Sequence, residues 1–183
     1  IASTEIHDKE ELKVLLKNAP KIENINYIKE VSTKEVYIHN SGSYDINTFE
    51  YLKNIEVKAK IVAIDFGAKR NILNELTQVG LEVEVIPHNF DVETLINRFD
   101  NKEIQGVFLS NGPGDPLILN EEAKKVSALI AHKIPLFGIC LGHQLLSIAH
   151  GFPTYKLKFG HHGGNHPIYH KESGLVEITA QNH

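Results

Sequence analysis

The chain has 183 residues, of which 42% are hydrophobic and 23% charged, and its formal net charge is −4. These values are typical of a globular protein and give no electrostatic reason to expect a nucleic acid or a membrane surface as partner. No apolar run is long enough to cross a bilayer, and no signal-peptide pattern opens the chain. The single cysteine excludes an internal disulfide and suits a reducing compartment. We therefore expect a cytoplasmic protein without nucleic-acid or membrane partners.

The first third of the chain is polar and weakly periodic. Asp8 is expected to cap a short helix that runs to about Asn18. Residues 44–58 have the composition of an irregular connector with a few strand-like positions. We interpret residues 1–57 as the end of a preceding domain plus a linker. Because the sequence has no methionine, we also expect it to be a fragment of a longer protein.

From residue 58 onward, short apolar runs alternate with helical patterns. The predicted elements are strands 61–64, 83–86, 106–109 and 134–139 and helices 71–79, 91–99, 120–132 and 143–150. Strands that alternate with helices in this way indicate a doubly wound, mostly parallel α/β sheet, in which ligands bind beyond the carboxyl ends of the strands. From Lys156 we expect antiparallel additions that end in a strand over 175–179.

A glycine-flanked cysteine follows the fourth predicted strand, where residues 138–144 read Gly-Ile-Cys-Leu-Gly-His-Gln. This is the thiol counterpart of the nucleophile elbow, a sharp strand-to-helix turn that exposes its central residue. The glycines let neighbouring backbone approach, and the N-terminus of the next helix favours an anionic sulfur. We predict that Cys140 is a nucleophile and that the N–H of Leu141 stabilises an oxyanion. The alternative is that Cys140 is a small buried hydrophobic residue, as many free cysteines are.

A second turn of special residues follows the third predicted strand, where residues 110–116 read Ser-Asn-Gly-Pro-Gly-Asp-Pro. The N–H groups of Gly112 and Gly114 are unhindered by side chains, so they could supply a second oxyanion donor or contact a ligand. Taken alone, this turn could equally be an ordinary surface loop.

Together, these two turns resemble those of the class I, triad-type glutamine amidotransferases. Three further stretches, residues 65–72, 158–167 and 178–183, resemble the small subunit of carbamoyl-phosphate synthase within that family. The resemblance implies a flavodoxin-like amidotransferase domain over residues 58–183. It also implies that residues 1–57 contain the end of the N-terminal domain of such a small subunit.

The resemblance implies that L-glutamine is hydrolysed through a cysteinyl thioester, with Cys140 as the nucleophile. It further implies that five residues contact glutamine or its oxyanion: Gly112, Gly114, Leu141, Gln144 and Asn182. The ammonia would pass to a large synthetase subunit, which uses ATP, Mg and bicarbonate to make carbamoyl phosphate for arginine and pyrimidine synthesis. No cofactor and no metal are expected in this chain itself.

The catalytic base of this family lies in a His-Pro-Glu sequence, which does not occur in the 183 residues. His166 and Pro167 are followed by Ile168 instead of Glu, and they belong to a separate histidine-rich run that the family also carries. We therefore assign neither His166 nor His183 as the base. A thiolate without an imidazole cannot easily deliver a proton to the leaving ammonia. We expect this stretch by itself to be inactive or nearly so.

Three other functions remain open from the sequence: an amidotransferase subunit of another synthase, a non-catalytic regulatory subunit, and an unrelated cysteine hydrolase with the same turn. Two further patterns are not interpreted as sites. Residues 65–67 read Asp-Phe-Gly, as in the magnesium-binding turn of protein kinases, but no glycine-rich loop accompanies them. His161, His162 and His166 have neither a carboxylate nor a second cysteine nearby in sequence, so we prefer a structural role to a metal site.

Overall fold

A computed structural model describes residues 2–6, 8–53 and 55–183, except for the side chain of Glu23. In chain order the elements are α1 (Lys9–Asn18), α2 (Ile28–Val31), β1 (Tyr37–His39), β2 (Tyr44–Asp45), β3 (Glu50–Tyr51), β4 (Ala59–Asp65), α3 (Arg70–Gln78), β5 (Leu81–Pro87), α4 (Val92–Asp100), β6 (Gly106–Leu109), α5 (Asn120–Ala131), β7 (Leu136–Gly138), α6 (Leu141–Ala149), β8 (His162–His170) and β9 (Leu175–Asn182). Single 3-10 turns cover Ile22–Asn24 and Pro116–Ile118.

Five strands form the central sheet in the order β1-β5-β4-β6-β7. The pairs β4–β5, β4–β6 and β6–β7 are parallel, whereas β1 joins the edge of β5 antiparallel. The chain leaves β4 towards one side of the sheet and leaves β6 towards the other. Connections therefore diverge between β4 and β6, which is where α/β sheets usually bind ligands. The predicted mostly parallel sheet is confirmed.

Both faces of the sheet are covered. Along β4, Val62 and Ile64 belong to one apolar cluster and Ala63 to the other, because successive side chains of a strand point to opposite faces. Helices α4, α5 and α6 contribute to the first cluster, and α3 contributes Leu73 to the second. Helices on both faces confirm the predicted doubly wound arrangement.

Each strand and helix predicted between residues 58 and 150 is present, with ends shifted by at most two residues. One of the two-residue shifts affects α6, which begins at Leu141 and not at the predicted His143. The predicted strand 134–139 is shortened to three residues, because the N–H of Ile134 still bonds to the end of α5, at the carbonyl of Leu129. The predicted cap of α1 is confirmed, since the Asp8 side chain accepts a hydrogen bond from the N–H of Glu11.

Residues 28–39 pack on this sheet, although the sequence suggested a preceding domain and a linker there. Ile28 is 0% exposed and lies in the same cluster as Val62. Strand β1 extends the sheet, and the N–H of Thr33 donates a 2.7 Å hydrogen bond to Oδ2 of Asp65. The division of the chain at residues 57 and 58 stays a prediction, and residues 1, 7 and 54 lie outside the described part.

The connector predicted over residues 44–58 contains the small hairpin formed by β2 and β3. The expected antiparallel additions are a hairpin of β8 and β9, which is mostly exposed and extends to Asn182, beyond the predicted end at Thr179. Among the described residues, none of the helices is both long and apolar enough to span a bilayer.

Candidate active site

Cys140 occupies the turn between β7 and α6, at the carboxyl end of the sheet. Its backbone has φ +53° and ψ −110°, a conformation that residues with a side chain rarely adopt. The residue is partly exposed, so it is not sealed in the core. Helix α6 begins at the next residue, and the N–H of Gln144 donates to the carbonyl of Cys140 at 3.0 Å. The sulfur is therefore carried by the residue at a helix N-terminus, where the dipole favours negative charge.

Close backbone contacts hold this turn against β6. The N–H of Gly142 donates to the carbonyl of Ser110 at 3.1 Å, and the N–H of Ile139 donates to the carbonyl of Leu109 at 3.1 Å. A Cβ on Gly142 would collide with the Leu109 carbonyl, and one on Gly138 would lie 2.5 Å from the carbonyl carbon of Gly142. The two glycines of the sequence motif are therefore required by packing.

The loop after β6 lies beside the cysteine turn. Gly112 fits between two neighbours: a Cβ there would lie 2.8 Å from Cδ2 of Leu141 and would collide with the Phe66 carbonyl. Gly114 has φ +97°, in the left-handed region, and its Cβ position lies 3.7 Å from the carbonyl oxygen of Ile25. The first glycine thus adjoins α6, whereas the second adjoins the N-terminal segment.

Two backbone N–H groups belong to residues at the cysteine turn: Leu141 follows Cys140, and Gly112 packs against the Leu141 side chain. Leu141 can act only through its backbone, because its side chain is 1% exposed and belongs to the core. Within the described residues, the N–H groups of Leu141 and Gly112 have no hydrogen-bond acceptor. Stabilisation of an oxyanion requires such unpaired donors close to the nucleophile. Their role as oxyanion donors stays a prediction.

The side chains of Ser110 and Asn111 connect the loop after β6 to the loop after β4 by hydrogen bonds. Ser110 is fully buried, and its Oγ accepts from the N–H of Phe66 at 2.9 Å and donates to the carbonyl of Asn111 at 2.7 Å. The Asn111 side chain accepts from the N–H of Lys69 at 2.9 Å and donates to the carbonyl of Gly67 at 3.1 Å. The loops on either side of the β4–β6 crevice therefore form one connected unit.

Asp65, at the end of β4, shapes the loop that follows it. Its Oδ1 accepts hydrogen bonds from the N–H groups of Gly67 and Ala68 at 2.8 and 2.6 Å, and its Oδ2 accepts from Thr33 at 2.7 Å. Both carboxylate oxygens are thus engaged by backbone. This explains the Asp-Phe-Gly sequence as a structural turn.

The hairpin of β8 and β9 brings Asn182 to the cysteine. The Sγ of Cys140 lies 3.7 Å from the carbonyl oxygen of Asn182, and the thiol is the donor of this weak hydrogen bond. The side chain of Asn182 accepts a hydrogen bond from Nδ1 of His162 at 3.0 Å. Gln144 is partly buried and lies one helical turn after Cys140.

Several histidines gather where the hairpin approaches Cys140. Nδ1 of His161 lies 3.3 Å from Nε2 of His183, and the ring centroids of His161 and His166 are 5.2 Å apart. Burial above all lowers the pKa of His183, and the neighbouring charges of His161, His162, His143 and His166 lower it further. In the part of the chain that the structure describes, no group of three or more His, Cys, Asp or Glu side chains could hold a metal ion.

Some of the site residues predicted from the sequence therefore lie at the cysteine turn, and others do not. Leu141 and Asn182 directly adjoin Cys140, and Gly112 packs on Leu141, whereas Gly114 contacts the N-terminal segment. Their roles in binding stay predictions. Sequence reasoning gave no role to three polar residues, Asp65, Ser110 and Asn111. The available signal was their position, since each lies directly at the carboxyl end of a buried strand.

The sequence pattern of the family Glutamine amidotransferase class-I matches residues 62–183. The chain belongs to this family. The resemblance inferred from the two glycine-containing turns is thereby confirmed, as is the fold class that it implied.

Similar proteins carry the name Carbamoyl phosphate synthase small chain. That of Helicobacter hepaticus is 64% identical over 183 residues, which are 100% of this chain and 48% of the relative. That of Campylobacter jejuni is 51% identical over 183 residues, or 100% of this chain and 49% of the relative. That of Escherichia coli is 43% identical over 166 residues, or 90% of this chain and 42% of the relative. The chain spans about half the length of the curated relatives it matches.

Proposed function

We propose that this chain is the nucleophile-bearing part of the glutamine-hydrolysing subunit of a carbamoyl phosphate synthase. One observation carries the proposal: partly exposed Cys140 is held at φ +53° at the start of α6, beside a glycine loop with an unpaired N–H. This is the geometry of a nucleophile elbow. The names of the similar proteins support the choice of carbamoyl phosphate synthase among the amidotransferases.

The reaction follows from this geometry in four steps. The Cys140 thiolate attacks the side-chain carbonyl carbon of glutamine, and the electron pair of the C=O bond moves to the oxygen. The N–H groups of Leu141 and Gly112 donate hydrogen bonds to that oxyanion. When the intermediate collapses, the C–N bond breaks, and the nitrogen takes up a proton and leaves as ammonia. Water then cleaves the glutamyl thioester, which yields glutamate and restores the thiol.

Proton transfer needs a group outside this sequence. His183 follows Asn182 in the hairpin that reaches Cys140, but its Nε2 interacts with Nδ1 of His161 and with Oε1 of Gln181. No His-Pro-Glu sequence occurs in the 183 residues. We therefore assign the proton shuttle to that family sequence elsewhere in the full-length protein.

The remaining predicted site residues have binding roles in this proposal. Gln144 and Asn182 contact the substrate glutamine from α6 and from β9, and Gly114 contacts it from the loop after β6. Ammonia passes to a large synthetase subunit, which uses ATP, Mg and bicarbonate to form carbamoyl phosphate for the arginine and pyrimidine pathways. The proposed location of this complex is the cytoplasm.

Labelling with a glutamine-mimicking diazoketone tests the proposal on the full-length protein. We expect one covalent adduct, on Cys140 by mass spectrometry, with the labelling rate reduced roughly tenfold or more by saturating glutamine. Cys140→Ala should lose both the adduct and ammonia release, whereas Ser147→Ala on the same helix should keep both. An adduct elsewhere, or labelling that glutamine does not slow, would overturn the proposal. Purification without a large ATP-using subunit would favour another synthase.

A further inference from the structure

We infer that Ser110 and Asn111 are positioning residues, which fix the orientation of the Asn111–Gly112 peptide and thereby aim its N–H at the oxyanion formed at Cys140. This inference rests on the proposed function, because it assigns a task to residues that surround the same site. Within the part of the chain that the structure describes, the side-chain hydrogen bonds of Ser110 and Asn111 go to backbone groups and not to the sulfur, so both act through the peptide that they hold.

The plane of that peptide is set from its carbonyl side. The carbonyl of Asn111 and the N–H of Gly112 belong to one planar trans unit, in which they point in opposite directions. The buried hydroxyl of Ser110 donates to this carbonyl at 2.7 Å. A peptide whose carbonyl is held in this way presents its N–H on the opposite side. The hydroxyl therefore sets the direction of the Gly112 donor.

The Ser110 hydroxyl is itself held in one orientation. Its oxygen also accepts from the N–H of Phe66 at 2.9 Å, so the hydroxyl hydrogen is left for the Asn111 carbonyl. The carbonyl of Ser110 accepts from the N–H of Gly142 at 3.1 Å. One residue thus bonds to the loop after β4, to the peptide that carries the donor, and to the turn that carries the nucleophile.

The side chain of Asn111 is fixed at both its oxygen and its nitrogen. Its Oδ1 accepts from the N–H of Lys69 and its Nδ2 donates to the carbonyl of Gly67, both in the loop after β4. That loop is itself fixed, because Asp65 accepts hydrogen bonds from Gly67 and Ala68. The donor peptide is therefore supported on both of its sides by polar groups whose partners are backbone atoms of the loop after β4 and of the start of α6.

Transition-state stabilisation depends on such pre-orientation, since a donor that must first reorganise loses much of its effect. In the full-length protein, Asn111→Ala and Ser110→Ala should each lower kcat for glutamine hydrolysis about 10- to 100-fold and change KM by less than about threefold. Alkylation of Cys140 by iodoacetamide develops no oxyanion, so its rate should stay within about twofold of wild type. Asn101→Ala, at an exposed helix end, is the matched control and should leave all three quantities unchanged.

Thermal unfolding shows whether each of the two variants is folded. Asn111 is only partly buried, so Asn111→Ala decides the matter if Ser110→Ala does not fold. A kcat within about twofold of wild type in a folded variant would overturn the inference. An equal fall in kcat and alkylation rate would do the same, because it indicates a displaced sulfur. If wild-type protein is labelled at Cys140 with glutamine protection while the variants keep full kcat, the proposed function stands and only this inference fails.

Discussion

The backbone nitrogen of Gly142 lies 3.1 Å from the carbonyl oxygen of Ser110, so the cysteine turn and the loop of the neighbouring strand are joined by a direct hydrogen bond. This contact requires the helix that follows Cys140 to approach β6 without an intervening side chain. The position of the nucleophile is therefore set by the sheet as well as by its own turn.

Gly142→Ala should break this contact. The added Cβ would collide with the carbonyl of Leu109, so we expect the free energy of unfolding to fall by about 2–3 kcal/mol. Gly164→Ala is the control, because a Cβ there meets nothing within 4 Å and the backbone angle is not in the left-handed region. It should change stability by less than about 0.5 kcal/mol. Urea unfolding measures both, and equal effects of the two variants would contradict the packing argument.

The backbone conformation of Cys140 stores strain that glycine would relieve. At φ +53°, Cys140→Gly should be more stable than Cys140→Ala by about 1 kcal/mol. The order should reverse inside α6, where Ser147→Gly should be less stable than Ser147→Ala by about 0.5–1 kcal/mol. Chemical denaturation of the four variants gives both differences. Finding the alanine variant the more stable one at position 140 would show that the turn is unstrained.

Asp65 links residues 28–39 to the loops of the site. Asp65→Asn replaces one acceptor oxygen by an N–H donor facing backbone N–H groups, so we expect a loss of about 2–3 kcal/mol. Hydrogen exchange of the Thr33 amide should accelerate at the same time. Asp45→Asn is the control, because among the described residues the Asp45 side chain accepts hydrogen bonds from Asn47 alone, within its own short hairpin. It should cost less than about 1 kcal/mol, and slow exchange at Thr33 in Asp65→Asn would contradict the linkage.

The lowered pKa of His183 predicts a pH effect with a definite sign. Burial and neighbouring histidines keep the folded-state pKa below the usual 6.5, so between these two values the unfolded chain binds more protons. Stability then rises with pH in that window and falls as the pH drops below 6.5. His183→Gln should show a weaker decrease in stability between pH 7.5 and 5.5. An NMR titration midpoint for His183 above 6.5 would contradict this assignment.

The sequence predicts most accurately those strands and helices whose pattern lies within a few neighbouring residues. The apolar runs at 61–64 and 106–109 predicted β4 and β6, because a strand buried on both faces needs no polar alternation. Strand β1 could not be predicted in the same way, since Tyr37 and Ile38 are exposed and the strand joins the far edge of the sheet. The start of α6 was placed two residues late, because Gly142 is a poor helix former and hides the first turn.

The same distinction between local and distant signals applies to the residues of the site. Cys140 and Gly112 stand out because their neighbours in sequence are glycines and a proline, which mark special turns. The tasks of Ser110 and Asn111 depend on Phe66, Gly67 and Lys69, which lie more than 40 residues away in sequence. Such bonds follow from the strand order, which the alternation of helices and strands does not specify.

Strand β7 has a consequence for handling this stretch of polypeptide. It is the outermost strand of the sheet within the described residues, and its Phe137 is 63% exposed. An uncovered parallel strand presents a row of unpaired N–H and C=O groups next to an apolar side chain, which is a template for recruiting another strand. Through this edge, the described residues would therefore tend to pair with a second copy of themselves.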